Sequence, residues 1–184
     1  LFFFLWAATI YGTFILWRGY PEAWKNLWSW KAVNWPNLKP ILIRWLIACV
    51  GMAGFLLWYD PGQMFSLVSR RPEIVPVLLV AYPILSALPQ ELVFCNFFFN
   101  RYQPLFKTTR MLVAASAITF AYAHMLYINP VAPTLSLLGG YIFATTYAKH
   151  RSLALVTIEH ALYGNALFII GLGKYFFRGN VPLN

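Results

Sequence analysis

The 184-residue sequence predicts an all-α fold: a polytopic transmembrane helix bundle of about six spans plus an interfacial helix, forming a single membrane domain over residues 1–184. Three observations carry that prediction. Hydrophobic side chains make up 60% of the chain and charged ones only 10%, whereas soluble domains carry roughly 25% charged residues. The apolar residues gather in runs close to the ~20 residues that an α-helix needs to cross a bilayer. Between the runs lie short clusters of Lys and Arg mixed with Trp, a combination suited to the headgroup layer.

Taken in order, residues 1–17 are apolar and aromatic and predict a first span, which residues upstream of Leu1 are expected to complete. Residues 18–40 mix Arg18, Lys25, Lys31 and Lys39 with Trp24, Trp28, Trp30 and Trp35, so a short helix lying flat in the interface is expected there. The second span is expected over residues 41–59, with Arg44 near enough to its start to snorkel, and Asp60-Pro61-Gly62 ends it with turn chemistry. Residues 75–99 exceed one perpendicular crossing and contain Pro83 and Pro89, which fits one tilted, kinked helix or two shorter ones. After the basic loop of Arg101, Lys107 and Arg110, a fourth span is expected over 111–128. Asn129, Pro130 and Pro133 break the chain before a fifth over 134–148, whose Gly139-Gly140 pair permits close helix contact. Lys149-His150-Arg151 turns into a sixth span over 152–173, and residues 174–184 read as an interfacial tail.

Charge supplies orientation. With six alternating spans, the loops after the first, third and fifth hold nine Lys or Arg against four on the opposite side, which directs the first set to the cytoplasm. The net charge of +9 is thus accounted for by anchoring against anionic lipid, not by a nucleic-acid face. The two cysteines, Cys49 and Cys95, lack CxxC or Cys/His spacing and indicate neither a disulfide framework nor a structural zinc site.

Glu91 is the residue that composition does not explain. It is one of five acidic residues and lies inside an apolar run, where a carboxylate costs about 3 kcal/mol on insertion scales and is normally given a partner or a task. His124 and His160 also fall inside apolar runs and are its first candidate partners. Three readings stay open at this point: a catalytic set in which Glu91 takes a proton from water, a zinc site of two imidazoles and a carboxylate, or a hydrogen-bonded structural core. Depth along the spans favours a meeting of Glu91 and His160, each about eight residues from the cytoplasmic end, or roughly 12 Å at helical rise. His124 is nearer 20 Å by the same rise, so it matches only if its span is tilted or begins near Ala115. Phe120 lies one turn before His124 and could wall a pocket. Glu159 projects about 100° away from His160 and pairs elsewhere or reaches a wet crevice. Asn165 is five residues after His160 and comes under it only through a π-bulge, while His150 reads as an exposed loop residue.

The ordered set Gln90-Glu91, Phe120-xxx-His124 and Glu159-His160-Ala161-Leu162-Tyr163-Gly164-Asn165 resembles the CPBP family, intramembrane proteases related to the eukaryotic CaaX prenyl endopeptidase and to bacterial immunity and bacteriocin-processing proteins. The motifs of that family are EExxxR, FxxxH and HxxxN or HxxxD on successive membrane helices, and the resemblance covers about residues 88–173, within a motif-bearing core of about residues 75–173. It implies a glutamate-dependent endopeptidase that hydrolyses a peptide bond in a cytoplasm-facing cavity of an integral protein of the bacterial cytoplasmic membrane. Glu91 would activate water and His124 would be its partner. His160 would stabilise the oxyanion together with a neighbouring Asn, here Asn165, with Gln90 and Phe120 in support. The resemblance implies no cofactor and no metal, a peptide or protein substrate that is prenylated or membrane-embedded, the lipid bilayer as surroundings, and no nucleic acid. Three positions depart from the motifs: Gln90 replaces a glutamate, Cys95 replaces the arginine, and Gly164 stands at the Asn/Asp position with Asn165 one step late. The alternatives are a catalytically inactive scaffold or immunity protein and, less well supported for want of an internal repeat, a small-solute transporter.

Overall fold

The computed structural model describes residues 2–176. The part of the expected interfacial tail from residue 177 onward lies outside the described residues, as does Leu1. No strand occurs among the described residues, and the chain runs through eight α-helical elements. These are α1 (Phe2–Gly19), α2 (Pro21–Lys25), α3 (Trp35–Tyr59), α4 (Ser66–Arg70), α5 (Ile74–Leu105), α6 (Thr109–His124), α7 (Val131–His150) and α8 (Leu153–Ile170).

Four of them, α1, α3, α5 and α8, are long and apolar enough to cross a membrane, fewer than the six spans expected. The other two long helices differ for a physical reason. α6 has only 16 residues, and α7 carries Thr134, Ser136, Gly139, Gly140, Thr145 and Thr146 along its 20. They pack chiefly against each other in the bundle, so much of their surface meets protein and needs less hydropathy than a lipid-facing helix. At their contact a Cβ on Gly140 would stand 3.0 Å from Phe120 Cδ1 and 3.3 Å from the Ala117 Cα, which is the close approach the glycine pair predicts.

Helix starts follow local capping chemistry. The Asn34 side chain accepts from the Asn37 N–H, and Pro36 sits in the first turn, where its missing N–H costs nothing. α3 therefore begins six residues before the expected Ile41. The connector shrinks to the five-residue α2 and a 3-10 turn at Trp30–Ala32, in place of one flat interfacial helix. Thr108 caps α6 at the Met111 N–H and Ser152 caps α8 at the Leu155 N–H. The Ser152 hydroxyl also donates to the Trp28 carbonyl at 2.9 Å, which ties the aromatic connector to the start of α8. α8 ends at Gly171, whose φ of +117° and contact with the Gln63 carbonyl leave no space for a Cβ.

α5 resolves the proline ambiguity as one continuous helical run. It contains two π-helical segments, Pro83–Ala87 and Leu92–Phe97, on either side of the α-turn Leu88–Glu91. Pro83 and Pro89 lack the N–H that a regular ladder requires, and the widened turns absorb the defect. Wide turns of this kind collect at functional sites. Apolar side chains such as Phe3, Phe4 and Ile10 of α1 are exposed, while a set of polar ones, Glu91, Asn96, Glu159 and His160, is buried within a largely apolar core.

Candidate active site in the bundle core

The imidazole of His160 is the centre of the polar core. It projects from α8, and its Nδ1 lies 2.7 Å from Glu91 Oε1, a contact between side chains 69 residues apart. Its Nε2 lies 2.9 Å from the Tyr82 hydroxyl of α5. The ring stacks on Phe143 of α7, with centroids 4.5 Å apart and planes 16° from parallel, and Phe120 of α6 meets it edge-on at 5.7 Å. Four side chains from three other helices thus fix one imidazole in both position and orientation.

Glu91 is only 1% exposed. Its Oε1 is held by His160, while among the described residues its Oε2 has no partner meeting hydrogen-bond geometry. The thiol of Cys95 bears on Glu91 and on Ser116, but a thiol is a weak donor. A guanidinium at that position would have offered a fork of strong donors. The carboxylate is therefore held at Oε1, while Oε2 is buried without a hydrogen-bond partner among the described residues.

The remaining sequence-selected residues are placed as follows. His124, the last residue of α6, is buried, and its Nδ1–H donates to the Phe120 carbonyl at 2.8 Å. Its ring lies against Phe120 at 4.6 Å and near Tyr127 and Phe176. Phe120 stands between the two imidazoles, so His124 makes no hydrogen bond to Glu91 or His160. Gln90 donates from Nε2 to the Ser86 hydroxyl at 2.8 Å. Asn165 turns its Nδ2 to the Leu79 carbonyl at 3.4 Å and not to His160, because α8 is regular here and the π-turns lie in α5. Among the described residues no three His, Cys, Asp or Glu side chains form a group that could hold a metal ion.

Two contributors were not singled out from the sequence. Tyr82 sits nine residues before Glu91 and looks like one more aromatic in a span. Its signal was Gly164: a Cβ there would fall inside the Tyr82 ring and hydroxyl. The second is Arg44, whose Nη2 lies 2.8 Å from Glu159 Oε1 and 3.2 Å from the Thr146 hydroxyl. Arg44, itself partly exposed, thus reaches a carboxylate that is fully buried.

A family model described as type II CAAX prenyl endopeptidase Rce1-like matches residues 72–166, just over half of the chain. The chain belongs to this family. No curated protein and no solved structure matches it. The matched stretch opens just before α5 and closes one residue after Asn165, so it includes all six sequence-selected positions together with Tyr82 and Glu159. Membership in a CAAX prenyl endopeptidase family, joined to the four apolar helices, makes this an integral membrane protein of the CAAX-protease-like endopeptidase type, and such a family implies a peptide or protein substrate.

Proposed function

We propose that this Rce1-like chain is an active intramembrane endopeptidase with Glu91 as general base. The observation that carries the reading is that the buried Glu91 carboxylate is held at Oε1 by an imidazole, that of His160, and keeps Oε2 without a hydrogen-bond partner among the described residues. A carboxylate so placed has one oxygen with which to accept a proton from water. Oε2 takes a proton from water, the hydroxide adds to the scissile carbonyl carbon, and the proton passes from Glu91 to the departing amine as the C–N bond breaks. Both nitrogens of His160 are engaged, which supports a role in holding the carboxylate over the oxyanion role that the resemblance implies. His124 has its Nδ1–H committed to a backbone carbonyl, which leaves Nε2 as the nitrogen able to orient the water. The substrate we assign is a prenylated CaaX peptide, approached from the cytoplasmic side where the Lys and Arg loops lie.

Cys95 favours a second reading, in which the same core binds a peptide without cutting it, because a weak donor replaces the arginine that the motif places beside Glu91. One experiment separates the two. Protein purified into nanodiscs is incubated with a farnesylated CaaX peptide, and the products are read by mass spectrometry alongside Glu91→Gln and His124→Ala. The proposal expects release of the terminal tripeptide by the parent and loss in both variants. Binding of the peptide with no product from the parent would establish the second reading.

A further inference from the structure

We propose that Tyr82 is a positioning residue for this site, its hydroxyl locking His160 in the tautomer that holds Glu91; the inference rests on the reading of Glu91 as base. An ionised carboxylate only accepts, so the 2.7 Å contact between Glu91 Oε1 and His160 Nδ1 puts the ring proton on Nδ1. In a neutral imidazole Nε2 is then an acceptor, and the Tyr82 hydroxyl, 2.9 Å away, is the group that donates to it. The three side chains form one directed chain: phenol to imidazole, imidazole to carboxylate. Its effect is to occupy Oε1 and keep Oε2 clear, which is the asymmetry the hydrolysis needs. If Nε2 carried the proton instead, Nδ1 would turn a lone pair toward Glu91 and push the carboxylate away.

The packing around Tyr82 is made for this contact. The ring lies on α8 at Gly164, where any Cβ would overlap both the aromatic carbons and the hydroxyl, and Phe168, one turn later, meets the ring edge-on at 5.4 Å. Gly164 is therefore a space requirement of Tyr82. A polar side chain at 164 and a tyrosine at 82 are mutually exclusive occupants of the volume beside His160. The absence of an Asn or Asp at 164 is thus matched by a hydroxyl that arrives from α5.

The test reads His160 directly and does not depend on a substrate. The chain has three histidines, so ¹⁵N-histidine labelling gives three imidazoles, assigned with His150→Gln and His124→Ala. In the parent, His160 is expected to show a protonated Nδ1 and a lone-pair Nε2. Tyr82→Phe keeps the ring and removes one oxygen, and should convert His160 to a mixture of tautomers. Gly164→Ala, which displaces the same ring from the other side, should give the same mixture even if one of the two variants is poorly folded. In the Tyr82→Ala background, Gly164→Ala should add no further change.

On a cleaved peptide, Tyr82→Phe should lower kcat by about 10- to 100-fold, the size found for groups that orient a working imidazole through its other nitrogen, with KM unchanged. An unchanged His160 spectrum in Tyr82→Phe would overturn the proposal. So would a changed spectrum with cleavage at the parent rate, an outcome that leaves Glu91 as base. A parent that cleaves nothing would defeat the functional reading, and the His160 spectrum alone would then decide whether Tyr82 sets the tautomer.

Discussion

Two carboxylates are sunk in this bundle, and they are treated in opposite ways. Glu159 on α8 is fully buried and faces the guanidinium of Arg44, a permanent cation whose side chain is 42% exposed, with Thr146 alongside. Glu91 on α5 is buried to the same degree but faces the imidazole of His160 in place of a guanidinium; in each acid Oε1 is engaged and Oε2 has no hydrogen-bond partner among the described residues. The two histidine-side neighbours are adjacent in sequence, yet Glu159 leaves α8 toward α3 while His160 leaves it toward α5. A guanidinium is a permanent cation with no proton to exchange, whereas an imidazole is a proton-transfer group, and that difference of partner marks which of the two regions is built for chemistry.

The comparison can be broken at several points. The largest effect is expected for His160→Ala, which strips Glu91 of its one strong partner and leaves Tyr82 with nothing to bond. Peptide cleavage should fall by about 10²- to 10⁴-fold, the range of a positioned proton-transfer group, as measured by initial rates. Arg44→Met attacks the other region. It leaves Glu159 buried without a cation, which costs about 3–5 kcal/mol for a fully sealed pair and about 2 kcal/mol here because solvent screens the half-exposed guanidinium. Thermal unfolding in detergent should show that loss, the rate per folded molecule should stay at the parent value, and Arg44→Met with Glu159→Gln should recover most of the stability. A smaller effect is expected from Phe143→Leu, which removes the ring stacked on His160. About 1 kcal/mol of stability should go, with a modest drop in kcat as the imidazole gains freedom.

The smallest effect concerns a third carboxylate outside the spans. Asp60, just after α3, pairs with Lys174 and accepts from Tyr175 at 3.0 Å. Those hydrogen bonds hold its carboxyl below the ordinary value of 3.8. A depressed acid contributes stability in full above its unfolded value and loses it as the pH falls through the folded one. Asp60→Asn should therefore unfold slightly more easily than the parent at pH 7, and the two curves should converge as the pH drops below 3.8. A difference that persisted unchanged in acid would show that the pair contributes packing and not charge.

Sequence patterns reached the elements more readily than the contacts. The apolar runs located α1, α3, α5 and α8, since helical spans leave a length and a hydropathy that a single strand of sequence displays. The start of α3 was missed because Asn34 and Pro36 are local capping signals inside a stretch whose tryptophans argued for the interface. Glu91 and His160 were legible as partners from depth alone, and their contact at 2.7 Å follows that arithmetic. Phe120 was legible as a neighbour of His124, one turn before it, but not as the ring that meets both His124 and His160. The pairs Tyr82–His160 and Arg44–Glu159 join residues 78 and 115 apart, and only the packing of α5, α3 and α8 brings them together. Gly164 held the available clue to Tyr82, because a glycine at the motif position frees a volume that another helix must fill. Asn165 would come under His160 only through a π-bulge; α8 is regular there, and the π-turns lie in α5, where the prolines remove the N–H groups.

The central claim is that of two equally buried acids only Glu91 takes part in bond cleavage. The most direct measurement is the initial rate of cleavage of a farnesylated CaaX peptide by Glu91→Gln and by Glu159→Gln, each normalised to folded protein in nanodiscs. The account predicts that Glu91→Gln is inactive and that Glu159→Gln cleaves at close to the parent rate. Parent-level cleavage by Glu91→Gln, or equal loss in both variants, would contradict it.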